Sequence, residues 1–224
     1  MMFRSLLFLI LLFPALLQAQ NLDEQLRAVE AELATLEAQK KALNERREGI
    51  KLERIQRDLQ AIGLPSESYI MHSAMALEYA EAHEQAAWVA HIILPDVTSG
   101  NVGRTNDFRP DPKVATGTAV EEDYFLKYLQ PDSTYEYDGF GYDRGHLAPS
   151  ADFRWSEKAL SESYFYSNMS PQVAEFNREA WAELEALLRG YLYENPGAQL
   201  YVVTGPVLEP DLPVIERSIN KVSI

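Results

Sequence analysis

The stretch Tyr142-Asp143-Arg144-Gly145-His146-Leu147-Ala148-Pro149 decides how the rest of this chain is read. An acid, a guanidinium, a glycine and an imidazole stand side by side in it. Gly145 lets the backbone come close to another group, or take a turn closed to other residues. His146 has an unperturbed pKa near neutrality, which general-base work requires. Arg144 can grip a phosphate through two parallel hydrogen bonds. The residues alone leave a plainer alternative open, with Asp143 and Arg144 a surface ion pair and His146 a satisfied, half-buried histidine.

Downstream, Ser167-Asn168-Met169-Ser170-Pro171-Gln172 is followed by Phe176-Asn177-Arg178-Glu179-Ala180-Trp181-Ala182-Glu183-Leu184-Glu185 and then by Thr204-Gly205-Pro206. Upstream lie Trp88-Val89-Ala90 and Asp111-Pro112. In this order, from residue 88 to 206, the blocks resemble the DNA/RNA non-specific endonuclease family of endonuclease G-like ββα-metal nucleases. The shared signatures are Asp-Arg-Gly-His, Asn-x-x-Pro-Gln, Asn-x-x-x-Trp-x-x-Leu-Glu and Thr-Gly-Pro.

The resemblance implies an α+β fold of the ββα-metal (His-Me finger) type, with an antiparallel sheet and a hairpin carrying His146 beside a helix carrying Asn177. It implies hydrolysis of phosphodiester bonds in DNA or RNA with little sequence specificity, leaving 5′-phosphate and 3′-hydroxyl ends. His146 is then the general base, Arg144 stabilises charge on the phosphate, and Asn177 holds the metal. Asn168 orients His146 or binds substrate, and Asp143 is counted with the substrate-binding residues. A further arginine is expected ahead of Asp111-Pro112. Arg104 and Arg109 flank that position, and Arg104 is preferred.

Spacing refines the helix. Asn177, Trp181 and Glu185 lie at i, i+4 and i+8 and share roughly one face. The Cα atoms of Asn177 and Glu185 are about 12 Å apart at 1.5 Å per residue, too far for both to ligate one ion directly. Asn177 is the better direct ligand, and Glu185 fits a role through water. One amide oxygen suits magnesium, which keeps most of its waters, and manganese can substitute. Considered alone, Asn177 could also be a helix N-cap.

The remaining chain frames this site. Residues 1–19 read as a secretory signal, with Arg4 ahead of an apolar run from Leu6 to Leu17 and Ala19 at a cleavage point. The expected location is therefore periplasmic or extracellular, with no stable membrane span. Residues 20–61 read as a coiled-coil helix. Leu22, Leu26, Val29, Leu33, Leu36 and Leu43 follow seam spacing, and nine acids nearly balance eight bases over 21–60. Homodimerisation through this stripe and a solvated stalk stay equally open.

Residues 62–224 read as the nuclease domain. Strands are expected at Trp88–Leu94 and Leu200–Thr204, helices at Ser156–Tyr166 and Arg178–Leu188, and a loop-rich functional surface over Pro95–Asp138. On the second helix, Trp181, Leu184, Leu187 and Leu188 form the apolar side. His72, His83 and His91 match no family position and read as structural. The chain stops where the family continues into another strand, which predicts an open sheet edge.

Composition sets limits. No cysteine is present, so disulfides, thiolate metal sites and cysteine nucleophiles are excluded. The formal charge of −14 is unfavourable for a protein that binds a polyanion, and the acid excess falls after residue 60. Two other readings stay open: a metal phosphodiesterase of a non-nucleic substrate, and a non-enzymatic envelope protein with a degenerate nuclease domain.

Overall fold

A computed structural model describes residues 21–224 with their side chains, together with the helical backbone back to Phe3. The expected secretory signal at 1–19 lies outside the residues so described. Among the described residues no helix is long and apolar enough to cross a membrane.

The first helix, α1 (Phe3–Ile62), runs without interruption through the charged segment. The chain divides into two units, residues 1–50 and 51–224. In the first, the stripe of Leu22, Leu26, Val29, Leu33, Leu36 and Leu43 is more than half exposed at every position. The division falls ahead of the 61/62 boundary expected from composition. Ile55 and Leu59 have joined the core of the second unit, so the helix's last turns belong there.

The second unit is mixed α and β. Strands β1 (Ile70–Met71), β2 (Met75–Ala80) and β3 (Gln85–Ile93) are followed by a hairpin of β4 (Phe125–Leu129) and β5 (Tyr135–Gly139). Next come β6 (Asp143–His146), the short helix α2 (Glu157–Glu162) and β7 (Met169–Gln172). Helix α3 (Ala182–Glu194) and strand β8 (Leu200–Thr204) complete the unit. Strands β1-β2-β3-β8 form one antiparallel sheet in that order, with β8 at an edge. Strands β6 and β7 pair antiparallel as a second, small sheet.

Every residue of β3 but Ala87 is buried. Its apolar side chains pack with Leu147, Phe153, Leu160 and Tyr164 from the segments that follow β6. This packing presses the signature stretch onto the main sheet. Ser156 caps α2, accepting the backbone N–H of Ala159 at 3.1 Å.

Two expectations change. The stretch Pro95–Asp138 holds the β4–β5 hairpin rather than loop alone. The expected helix over Arg178–Leu188 is a π-turn over Phe176–Trp181 continuing into α3. Its apolar side is only partly core. Leu188 packs beside buried Leu192 against Ile93 and Val97, while Leu184 and Leu187 are exposed.

Candidate active site

Strand β6 places the signature residues in register against β7: Asp143 opposite Gln172, Gly145 opposite Ser170, His146 opposite Met169. The need for glycine at 145 is steric. A Cβ there would lie 2.2 Å from Cδ and Oε1 of Gln172, whose side chain fills the space. The last residue of the Asn-x-x-Pro-Gln block thus sits on the glycine of the Asp-Arg-Gly-His block.

His146 stands beside a groove of about 940 Å³. Its ring packs edge-on to Tyr164 at 5.0 Å and tilted to Phe108 at 5.7 Å. Its Nε2 is enclosed with no hydrogen-bond partner, which leaves Nδ1 as the nitrogen able to meet solvent. Burial pushes the imidazole pKa down to about 3, and the Arg104 and Arg144 charges act in the same direction. The ring is therefore neutral throughout the physiological range.

Asn168 does not touch the groove. It is fully buried. Its Oδ1 accepts the Ala148 N–H at 2.9 Å, and its Nδ2 donates to the carbonyls of Ala148 at 2.9 Å and Ser163 at 2.8 Å. Every polar group of the amide is spent on backbone. It clamps the chain immediately after His146, and its own carbonyl accepts the Leu147 N–H at 2.9 Å.

Asp143 borders the groove but is likewise committed. Its carboxylate accepts Nε and Nη2 of Arg178 at 2.8 and 2.7 Å and Nδ2 of Asn177 at 2.9 Å. The Arg178 hydrogen bonds hold its pKa below the usual carboxylate range, with Asn177 adding to the effect. A carboxylate so placed repels phosphate, and its hydrogen bonds tie it to Asn177 and Arg178.

Asn177 lies inside the π-turn, two residues beyond the N-cap position at Glu175, so the N-cap alternative is not what forms. With Nδ2 given to Asp143, the described residues place no hydrogen bond on its Oδ1. Glu185 borders the same groove, and burial raises its carboxyl pKa while Arg189 opposes the rise. Among the described residues no three His, Cys, Asp or Glu side chains cluster as a metal cage. The donors present, one amide oxygen and a carboxylate, fit a hard cation that keeps most of its water. Trp181 is tied in from behind, its Nε1–H donating to the His146 carbonyl at 3.1 Å.

Five arginines line the groove: Arg104, Arg144, Arg154, Arg178 and Arg189. This local basic wall answers the objection raised by the chain's acidity. The Arg144 guanidinium lies 3.6 Å from the centre of the Phe108 ring, a cation–π contact that fixes its plane. Arg104 is exposed and makes no hydrogen bond among the described residues. Arg109 is turned away, bonded to Asp107 and Ser161 and lying over Phe165. Of the two candidates only Arg104 borders the groove. Sequence reading missed Arg189, which donates to buried Asp152 at 3.0 Å and approaches Glu185 at 3.5 Å. Its position four residues after Glu185 was the available signal.

The remaining histidines are held within the fold. His72 pairs with Asp111 at 2.8 Å, His83 with Ser223 at 2.9 Å and His91 with Asp152 at 3.0 Å.

Residues 56–224 match the family described as DNA/RNA non-specific endonuclease, three quarters of the chain. The chain belongs to the DNA/RNA non-specific endonuclease family. Within that family it is 34% identical over 158 residues to mitochondrial endonuclease G of Bos taurus, covering 68% of this chain and 47% of that protein. It is also 34% identical over 144 residues to a nuclease of Nostoc sp., covering 64% and 47%. The chain thus spans about half the length of these relatives. Among solved structures it is similar to a crystal structure of an EndoG/EndoGI complex that concerns the mechanism of EndoG inhibition. That match has TM-score 0.58 and 28% identity, and covers 76% of this chain and 68% of the other. The hairpin of β6 and β7 and the helix that follows are the ββα unit of this family of endonucleases.

Proposed function

We propose that this chain is a metal-dependent endonuclease that hydrolyses phosphodiester bonds of DNA or RNA with little sequence specificity. The observation that carries the reading is a neutral imidazole and an amide oxygen without a hydrogen bond on the same arginine-lined groove. Phosphate contacts dominate such a groove, and phosphates carry no base information.

His146 acts through Nδ1, the nitrogen not enclosed, and removes a proton from the attacking water. Its depressed pKa keeps the lone pair free, and an arriving phosphate offsets the Arg104 and Arg144 charges that hold it down. Arg144, fixed on Phe108, and Arg104 take the negative charge that grows on the phosphate oxygens. Asn177 Oδ1 would hold a divalent cation, magnesium or manganese in its place, and Glu185 would orient the water around it. When bound, that cation supplies Lewis-acid stabilisation of the phosphate and the departing 3′ oxygen. The products carry 5′-phosphate and 3′-hydroxyl ends. Asp143 and Trp181 hold the two halves of the site in place, one through Asn177 and the other through the His146 carbonyl.

The apolar run and Arg4 at the N-terminus support export, and the exposed leucine stripe on α1 supports pairing of two copies through that segment. The test of activity is nicking of supercoiled plasmid by the protein lacking residues 1–19, with magnesium, with EDTA, and as His146→Ala. Magnesium-dependent nicking that disappears in the variant supports the reading. A folded protein with no nicking under any condition overturns it.

A further inference from the structure

Resting on the nuclease reading, we propose that one face of the β4–β5 hairpin is a stacking platform for unpaired bases, which extends the active groove into a track for single-stranded nucleic acid. The register puts Lys127 opposite Tyr137 and Leu129 opposite Tyr135, so these four side chains share a face with Phe125. Tyr135 and Tyr137 are each at least half exposed, a large aromatic surface to leave in water. Along the strand they are spaced by about 7 Å, two residues of rise.

Three features give the face its occupant. First, it is continuous with the groove. Phe125 lines the groove, lies 5.0 Å from the Arg144 guanidinium and meets Tyr137 edge-on at 5.3 Å. A strand whose scissile phosphate is held by Arg144 therefore passes from Phe125 to Tyr137 to Tyr135. Second, the charges are sorted. The acids Glu136 and Asp138 fall on the opposite face, with Leu126 and Tyr128. Lys127 sits among the rings, 4.6 Å from the Tyr135 centroid and 5.7 Å from that of Tyr137, and 3.8 Å from Glu121. Third, the hairpin is braced at its base. Arg217 donates to Asp138 at 2.8 Å and lies over Phe140, so the platform keeps its aim.

Every base has a π-face, so stacking is tolerant of sequence, as the proposed activity requires. Stacking also needs no positive charge. For a chain of formal charge −14 it adds affinity to the phosphate contacts of the arginine-lined groove. Paired bases present edges rather than faces, so the platform favours single strands over duplex.

The test compares kcat/KM on a single-stranded oligonucleotide with that on a duplex of the same sequence. Tyr135→Ala/Tyr137→Ala lowers the single-strand to duplex ratio about tenfold or more. Tyr135→Phe/Tyr137→Phe, which keeps both rings, restores the ratio. Tyr128→Ala, on the opposite face, leaves it within about twofold. Iodouracil-substituted single strands bound to His146→Ala cross-link at Tyr135 or Tyr137. A loss that is equal for both substrates, or cross-links elsewhere, shows that the hairpin only shapes the groove and overturns the proposal. An unchanged ratio overturns it in favour of a protein-contact surface. Absence of magnesium-dependent cleavage in the unaltered protein would overturn the nuclease reading instead, and the cross-linking arm separates the two failures.

Discussion

Replacing Asn168 with alanine tests whether this residue belongs to the fold or to the substrate. The change removes three buried hydrogen bonds of 2.8–2.9 Å and strands the N–H and carbonyl of Ala148 and the carbonyl of Ser163. A buried polar group left without a partner costs about 1–3 kcal/mol. Carbonyls tolerate the loss better than N–H groups, which places the total at about 3–6 kcal/mol. That is a large part of the roughly 5–15 kcal/mol by which a domain is stable. With a urea slope of about 2 kcal/mol/M the unfolding midpoint falls by about 1.5–3 M. Tryptophan fluorescence during urea titration measures it. Well below the midpoint, the protein that remains folded should cleave with KM within about twofold of the original, because Asn168 never reaches the groove. A destabilisation under about 1 kcal/mol together with a tenfold rise in KM would refute the assignment and return Asn168 to the substrate.

Three further outcomes are expected. The His146 ring, followed by side-chain NMR, stays neutral as pH falls through 6.5 and titrates toward 3; full protonation by pH 5 contradicts the burial argument. Because its folded pKa is depressed, the unfolded state takes up the proton first, and stability declines as pH drops from about 6.5 toward 3. Asp143→Ala frees the Asn177 amide and raises the magnesium concentration for half-maximal activity about 10- to 100-fold, with an unchanged requirement counting against that tie. Trp181→Phe removes the donor to the His146 carbonyl, lowering kcat several-fold with little change in KM; a purely KM effect would place Trp181 in substrate binding.

The residues of the candidate site were legible because they come as a linear signature. Asp143 to His146 occupy one short strand, and Gly145 announced a close approach that proves to be with Gln172. Asn177 and Glu185 came from the resemblance, and helical spacing only divided their expected roles. Asn168 and Asp143 were found without their hydrogen-bond partners, because a signature shows that a polar residue matters without showing which way it faces. Strands β4 and β5 were missed because Phe125–Leu129 is apolar but for Lys127 and so lacks a two-residue period, while Tyr135–Gly139 alternates aromatic with acidic residues rather than apolar with polar. Only Phe125 packs against a core cluster, and the rest of the hairpin lacks a buried face that would impose the usual pattern. The groove's basic wall is assembled from arginines between 104 and 189, a convergence that only the fold creates.

The π-turn at Phe176–Trp181 gives this helix a tolerance that the segment after it lacks. A wide turn takes up or gives back one residue by changing its winding, and the faces on either side of it stay nearly aligned. Between Ala182 and Glu185 the helix is α, and a residue lost there would swing Asn177 by about 100° relative to Glu185. Chain length is therefore read as angle on one side of Trp181 and as slack on the other.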